Sequence, residues 1–196
     1  MTRSPRYTSV AIALHWLTAA AILALLLAGL WMTDAITPNN PPETRNFAYR
    51  VYQWHKALGL TVLVLTFVRL GWRIAHPPPP LPVGMSRLER IGAGLSHSLF
   101  YALMVAIPLA GWAMVSASPL GLPTIVFGLF EWPHIPILAG LEDKKPVETL
   151  FKLSHKYMGF GLIALLALHI AAALKHHLVN RDDVLARMLP GLRDPK

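Results

Sequence analysis

The sequence contains no cysteine and few charged residues. The lack of cysteine excludes disulfide bonds, iron–sulfur clusters, thiolate-bound zinc and covalent attachment of a c-type haem. Only 14% of the residues are charged, and no Asp or Glu occurs in the four long apolar runs of the chain. Carboxylate-bridged di-metal sites and proton-relay transporters normally need such carboxylates on their helices, so the sequence disfavours both classes.

Long apolar runs cover residues 10–32, 53–75, 94–116 and 153–176. Each run is close to the length of about 20 residues that a helix needs to cross a bilayer. The first run is too long for a cleaved signal peptide, and no small-residue cleavage site leads from it into a polar domain. We therefore predict an all-α fold, a transmembrane four-helix bundle that forms a single membrane domain over residues 1–196.

Basic residues are distributed unevenly between the two ends of this bundle. With four spans, the two tails and the loop between spans two and three share one side, which carries eleven Lys/Arg and four Asp/Glu. The opposite side carries seven Lys/Arg and six Asp/Glu. The positive-inside rule therefore places both termini in the cytoplasm. Topology and contact with membrane lipids explain the net charge of +8, which does not indicate a nucleic-acid partner.

Four histidines lie inside the apolar runs at two depths. His155 and His169 are fourteen residues apart in the fourth span, so both leave one face of the helix, about 21 Å apart. His15 matches the depth of His169, and His55 matches the depth of His155. Two facing imidazoles in an apolar slot suit a b-type haem, whereas structural zinc normally needs four ligands. We therefore predict two haem b groups, an inner one between His15 and His169 and an outer one between His55 and His155.

Other residues near these histidines have more than one interpretation. Gly59 and Gly159 end a repeated H-K-x-x-G pattern, where glycine lets a flat macrocycle lie against the backbone or lets helices pack closely. His97 is a rival axial ligand at the inner layer, or a hydrogen-bond partner of a haem propionate or a quinone. Arg69 and Arg73 either reach lipid phosphates or pair with acidic groups of a cofactor.

The connections between the spans differ in length and composition. Residues 33–50 form a predicted loop, so His55 is expected within about the first turn of its helix. The proline-rich segment 76–82 cannot be helical and is a stiff, extended connector. The longest connection, 117–151, has an aromatic run that lies on the membrane surface or covers a site. Residues 176–196 form a basic, partly amphipathic tail at the membrane interface.

These features resemble the bacterial cytochrome b561 family of four-helix, di-haem membrane proteins. The matching segments cover nearly the whole chain: HW (15–16), WHKALG (54–59), VRLGWRI (68–74), SHSLFYALMVAIPLAGW (96–112), FGLF (127–130), SHKYMG (154–159), LHIAAALKHH (168–177) and RDDVLARMLP (181–190). The resemblance implies that His15, His55, His155 and His169 are axial haem ligands, and that the chain lies in the bacterial inner membrane. Members often have an acidic residue after the first ligand histidine of the fourth span, where this chain has Lys156.

One type of member in this family resembles a superoxide oxidase, which takes an electron from superoxide and reduces ubiquinone in the membrane. Lys56, Lys152 and Lys156 lie beside the outer histidines, where three cations would attract a small anion such as superoxide. The same lysines would also neutralise haem propionates or lipid phosphates. We therefore predict that the chain oxidises superoxide at the outer face and reduces ubiquinone.

The alternative function is that of a cytochrome b subunit. Such a subunit would link the quinone pool to a separate dehydrogenase, hydrogenase or periplasmic partner. A redox partner protein or a second copy of the chain is compatible with either function. A non-redox scaffold or transporter is a third class, and a protein of that class would purify without colour.

Overall fold

The computed structural model describes residues 6–82, 84–189 and 191–192 of the chain. Parts of the predicted basic tail 1–9 and of the predicted tail 176–196 therefore lie outside the described residues. The chain forms helix α1 (Ser9–Ala35), helix α2 (Pro42–Ala75) and helix α3 (Arg87–Ser116). Strands β1 (Thr124–Val126) and β2 (Phe130–Trp132) follow, and then the short helix α4 (Pro136–Ala139). Helix α5 (Lys145–Lys175) continues into one π-helical turn, His176–Asn180.

Four of these helices are long and apolar enough to cross a membrane, namely α1, α2, α3 and α5 with its π turn. This confirms the prediction of a mostly helical fold with four candidate membrane spans. Helix α1 packs along α2, and α3 packs along α5. Contacts between α2 and α3 join these two pairs. Each long helix contributes one side chain to the central core cluster, which consists of Ile22, Val62, Met104 and Leu162.

Local signals in the sequence explain where the helices begin. The Thr8 hydroxyl caps α1 by accepting from the Ala11 amide at 3.2 Å. Ser86 and Glu89 form a reciprocal capping box at the start of α3. Helices α2 and α5 each carry a proline in their first turn, where the missing amide proton costs no hydrogen bond.

Two predicted helix boundaries are wrong. The predicted loop 33–50 is helical from Pro42 onward, and α1 continues to Ala35, so the loop is short. His55 consequently lies about three and a half turns into α2 rather than within its first turn. Helix α5 likewise begins at Lys145, within the predicted connection 117–151. In both cases the helix continues through polar residues beyond the apolar run, and apolar length alone does not reveal that extension.

A β-hairpin occupies part of the connection 117–151 and was not predicted. Its strands pair antiparallel, from Thr124 opposite Trp132 to Val126 opposite Phe130. Phe127 and Gly128 both have positive φ angles, 50° and 76°, as a type I′ turn requires. Strands of three residues are too short to show an alternating pattern, so no strand could be predicted here.

Side chains from two long helices hold this hairpin against the bundle. On α2, Gln53 Nε2 donates to the Pro123 carbonyl at 3.2 Å, and its Oε1 accepts from the Ile125 amide at 3.2 Å. On α3, Trp112 Nε1 donates to the Pro133 carbonyl at 2.9 Å. We call the end of the bundle that carries the hairpin the hairpin end. The opposite end, where α1 begins and α5 finishes, is the terminal end.

The chain after α5 folds back over the terminal end. The Trp16 indole of α1 donates to the Met188 carbonyl at 2.8 Å. Arg187 is buried, forms an ion pair with Asp183 at 2.8 Å and donates to the Pro80 carbonyl of the proline-rich connector. As predicted, that connector is not helical. The terminal end is therefore covered by protein on the side of α1 and α2.

Candidate functional site

The structure brings the predicted histidines together in two facing pairs. At the terminal end, the ring centres of His15 on α1 and His169 on α5 are 6.3 Å apart, with 51° between the ring planes. At the hairpin end, the ring centres of His55 on α2 and His155 on α5 are 6.1 Å apart, with 65° between the planes. Both pairs therefore include one histidine from α5, on a single face of that helix.

The spacing within each pair fits two imidazoles that share one metal atom. Two ring nitrogens, each about 2 Å from a common metal, place their ring centres on the order of 6 Å apart. Among the described residues, no three His, Cys, Asp or Glu side chains gather as a metal-binding group. The donor set at the hairpin end is thus two imidazoles, which suits an iron atom whose other ligands come from a porphyrin.

The ring of His155 is held in a defined orientation. Its Nδ1 donates to the Ile107 carbonyl of α3 at 2.9 Å. This hydrogen bond leaves the lone pair of Nε2 free, and metal-binding histidines usually have such an acceptor on their second nitrogen. Gly111 makes the approach possible, since a Cβ atom there would lie 3.1 Å from both Cε1 and Nδ1 of His155.

A glycine of α1 bears a similar relation to His55. A Cβ atom at Gly29 would lie 3.3 Å from Cε1 of the His55 ring. His55 Nδ1 is buried and lacks a hydrogen bond of good geometry, although the Leu25 carbonyl is an acceptor close to it. The His55 ring is therefore positioned mainly by packing, whereas the His155 ring is positioned by a hydrogen bond.

An apolar cavity of about 340 Å³ adjoins His55 between α1 and α2. Its lining includes Leu25, Phe47 and Trp54, and its charged lining residue is Arg50. A volume of this size is typical of sites for small organic ligands. The cavity is large enough for part of a planar macrocycle beside His55, and Arg50 in its lining would meet an acidic substituent of such a ring.

The two glycines singled out from the sequence do not contact any ring. A Cβ atom at Gly59 or Gly159 would meet no atom within 4 Å. Open space at these positions is compatible with a planar group lying against the backbone, and it does not support close helix packing there. The glycines that lie against the paired histidines are Gly29, beside His55, and Gly111, beside His155. Neither of them was among the candidate site residues of the sequence analysis.

Arg69 contacts His15 directly. Its Nη2 lies 3.0 Å from His15 Nδ1, and its guanidinium lies over the Tyr101 ring at 5.7 Å. Arginine has no acceptor, so Arg69 donates and His15 Nδ1 carries the lone pair. A histidine that binds metal through Nε2 needs a proton on Nδ1, so an axial role for His15 requires Arg69 to move off this nitrogen.

His97 lies at the same layer as the terminal-end pair. Its ring centre is 5.9 Å from that of His169, which is as close as His15. Phe100 covers another side of His169 at 5.3 Å. Ring distances alone therefore do not separate His15 from His97 as the partner of His169.

The three predicted lysines differ in their surroundings. Lys56 is half-buried, and its Nζ donates to the Pro123 carbonyl at 2.6 Å, so it also anchors the hairpin. Lys152 and Lys156 are exposed and lie one turn apart on α5, beside His155. Lys156 Nζ lies 6.0 Å from the centre of the Phe160 ring. Lys152 and Lys156 are therefore more accessible to ions in solvent than Lys56 is.

Comparison with known proteins identifies the family. Residues 6–191 match the family model for prokaryotic cytochrome b561. The chain is 31% identical to cytochrome b561 homolog 2 of Escherichia coli over 190 residues, which cover 96% of this chain and 94% of that protein. It is also 31% identical over 193 residues to the probable superoxide oxidase CybB of Yersinia pestis, covering 96% and 98%.

A third relative agrees with this assignment. The chain is 30% identical to cytochrome b562 of Cereibacter sphaeroides over 196 aligned residues, covering 96% of this chain and 98% of that protein. The family match spans nearly all of the described bundle, including both histidine pairs. The chain therefore belongs to the prokaryotic cytochrome b561 family, whose members are multi-pass membrane proteins that bind haem b and transfer electrons.

Proposed function

We propose that the chain holds two haem b groups and transfers electrons from superoxide to ubiquinone. The observation that carries the proposal is the two facing histidine pairs, with ring centres 6.3 Å and 6.1 Å apart, at two layers of one bundle. His15 and His169 would hold one haem at the terminal end. His55 and His155 would hold the other at the hairpin end.

A haem with two imidazole ligands has no open coordination position, so it exchanges single electrons without binding oxygen. The residues of the chain determine the surroundings in which this exchange occurs. Ile107 and Gly111 orient His155, and Arg50 lines the cavity beside His55, where it would meet a haem propionate. Gly59 and Gly159 leave open space for the macrocycle. At the terminal end His97 lies beside His169, and Arg69, once it has moved off His15 Nδ1, would be free to meet an acidic group of the haem.

Superoxide is the proposed electron donor at the hairpin end. Each superoxide gives up one electron and leaves as dioxygen, and two such electrons with two protons convert ubiquinone into ubiquinol. Lys152 and Lys156 support this assignment because exposed cations beside His155 raise the local concentration of a small anion. Lys56 contributes charge from behind the hairpin. A relative that matches 96% of the chain is named as a probable superoxide oxidase.

The proposed location is the bacterial inner membrane, with both termini in the cytoplasm. The sequence supports this orientation, since the side that carries the termini has eleven Lys/Arg against seven on the other side. The terminal end then faces the cytoplasm and the hairpin end faces the periplasm. Superoxide formed outside the cytoplasm would meet the lysines directly.

Haem content tests the ligand assignment. The purified full chain should contain two b haems, and the His55→Ala and His155→Ala variants should each retain one. The His15→Ala and His169→Ala variants should also retain one haem. Its reduced-minus-oxidised spectrum should differ from that of the haem retained by the His55→Ala and His155→Ala variants. His134→Ala, which changes a histidine outside the long helices, is the control and should retain both. One haem in the unaltered chain, or haem loss in His97→Ala in place of His15→Ala, would refute the assignment.

The superoxide reaction is tested with the chain purified alone in detergent. Superoxide generated in solution should reduce added ubiquinone, and the double variant Lys152→Gln/Lys156→Gln should slow haem reduction severalfold. Lys145→Gln is the matched control, because Lys145 is at the same end but is paired with Glu148 at 2.7 Å. If superoxide does not reduce the isolated chain, while a quinol or a partner protein does, the chain is an electron-transfer subunit.

A further inference from the structure

Two guanidinium groups at the terminal end have no carboxylate partner among the described residues. Arg69 and Arg73 lie one turn apart on α2, and both are half-buried. The described acids of this end are already paired: Glu89 with Lys175 at 2.6 Å, Asp182 with His176 at 2.6 Å and Asp183 with Arg187 at 2.8 Å. A cation that is partly removed from water is stabilised by an anion, so these two arginines favour a negatively charged ligand.

The two arginines line a small cavity of about 30 Å³. Residues from the three helices α1, α2 and α3 and from the segments before α1, after α2 and after α5 surround it: Tyr7, Ala11, Trp72, His76, Pro78, Tyr101 and Met188. Pockets for ring-shaped ligands usually measure about 300 Å³ or more, so this cavity does not accept a quinone ring. Its size is on the scale of one or two water molecules, which suits the oxygens of one oxyanion.

The walls of the cavity are typical of a membrane interface. Trp72 Nε1 donates to the Thr8 hydroxyl at 2.9 Å, and the Trp72 ring stacks on His76 with ring centres 4.0 Å apart. Arg73 is in the last turn of α2, which ends at Ala75. Tryptophan, tyrosine and arginine at the end of a membrane span are the residues that contact lipid headgroups.

We propose that this cavity binds the phosphate of an anionic phospholipid, with Arg73 as the outer contact and Arg69 as the inner one. Arginine binds phosphate oxygens through its forked N–H donors, and basic pockets between membrane helices bind anionic headgroups in the same way. Arg73, His76 and Pro78 place the cavity at the surface of the bundle, one turn outside the contact of Arg69 with His15. The site is independent of the proposed electron donor and acceptor.

Native mass spectrometry of the haem-loaded chain tests the proposal. The purified protein is equilibrated with phosphatidylglycerol or with phosphatidylcholine of the same acyl chains, and the lipid retained per chain is measured. The unaltered chain should retain more phosphatidylglycerol than phosphatidylcholine. Arg73→Gln should reduce this retention about fivefold, the factor expected for one basic residue at an anionic surface. Arg73→Lys, which keeps the charge, should retain most of it.

Arg87→Gln is the matched control, because Arg87 is exposed at the same end and lies outside the cavity. It should bind phosphatidylglycerol as the unaltered chain does. Equal retention of the two lipids by the unaltered chain would overturn the proposal. So would displacement of the lipid by millimolar inorganic phosphate, which would assign the site to a free anion. Haem loss with unchanged lipid retention in Arg73→Gln would assign it to a haem propionate.

Discussion

His155 shows how a single main-chain carbonyl prepares an imidazole for metal binding. The Ile107 carbonyl accepts from Nδ1 at 2.9 Å and fixes the proton on that nitrogen. The absence of a Cβ atom at Gly111 allows the ring to come this close to α3. His155 is therefore positioned by two residues of a helix that supplies none of the four proposed ligands.

The variant Gly111→Ala should impair haem binding at the hairpin end. Its Cβ would lie 3.1 Å from two atoms of the His155 ring, and the ring cannot retreat without breaking its bond to Ile107. We expect loss of the haem at His55 and His155, or a shift in its reduction potential. Gly29→Ala should have a smaller effect, since the contact is 3.3 Å and His55 has no comparable hydrogen bond.

The measurement for both variants is haem per chain, together with a redox titration of each haem. Gly71→Ala is the control on α2, because a Cβ atom there would meet nothing within 4 Å. Normal content and unchanged potentials in Gly111→Ala would show that the contact does not position His155.

The sequence could identify the paired histidines but not the residues that orient them. A separation of fourteen residues puts His155 and His169 on one helical face whatever surrounds them. Which residue of a neighbouring helix meets a ring depends on the sliding and rotation of one helix against another. One sequence does not contain that information, so Gly29 and Gly111 became apparent only in the structure.

At the scale of elements, the helices are longer than the apolar runs that predicted them. Helix α2 has 34 residues and α5 has 31, which correspond to about 51 Å and about 46 Å. A hydrocarbon core is about 30 Å thick, so both helices extend beyond it. Hydropathy detects only the part of a helix that lies in lipid. The β-hairpin was missed for a related reason, since its strands are too short for a periodic pattern.

The hairpin should depend on Gln53. In Gln53→Ala, both hydrogen bonds of this side chain to the hairpin are lost, at about 1 kcal/mol each. We expect amide hydrogen exchange in residues 124–132 to become roughly thirtyfold faster, as about 2 kcal/mol implies.

Gln53→Glu separates the two bonds in the same exchange experiment. Glutamate still accepts from the Ile125 amide but no longer donates to the Pro123 carbonyl, so an intermediate rate is expected. If exchange is unchanged in Gln53→Ala, the hairpin is held by Lys56 and by the contact of Trp54 with Phe127 instead.

At the scale of the whole molecule, composition predicted the architecture well. Four apolar runs gave four long helices, and the family match covers nearly the entire chain. The membrane orientation stays a prediction from the distribution of Lys and Arg. Charge at the hairpin end also affects kinetics, because the exposed Lys152 and Lys156 attract a small anion over a distance that depends on salt.

The rate of haem reduction by superoxide should therefore fall as ionic strength rises. The screening length decreases from about 30 Å at 0.01 M salt to about 3 Å at 1 M salt. We expect roughly a tenfold decrease in the second-order rate constant over this range, measured by pulse radiolysis. The Lys152→Gln/Lys156→Gln variant should show a shallower dependence. A rate that salt does not affect would mean that charge has no part in the encounter.

Helix α5 supplies one member of each histidine pair and is the last long helix of the chain. During synthesis, therefore, neither pair exists until the ribosome has made α5 and the helix has entered the membrane. A chain that stops before His155 therefore lacks the α5 member of both pairs. If the pairs hold haem as proposed, neither haem site can form before α5 is complete.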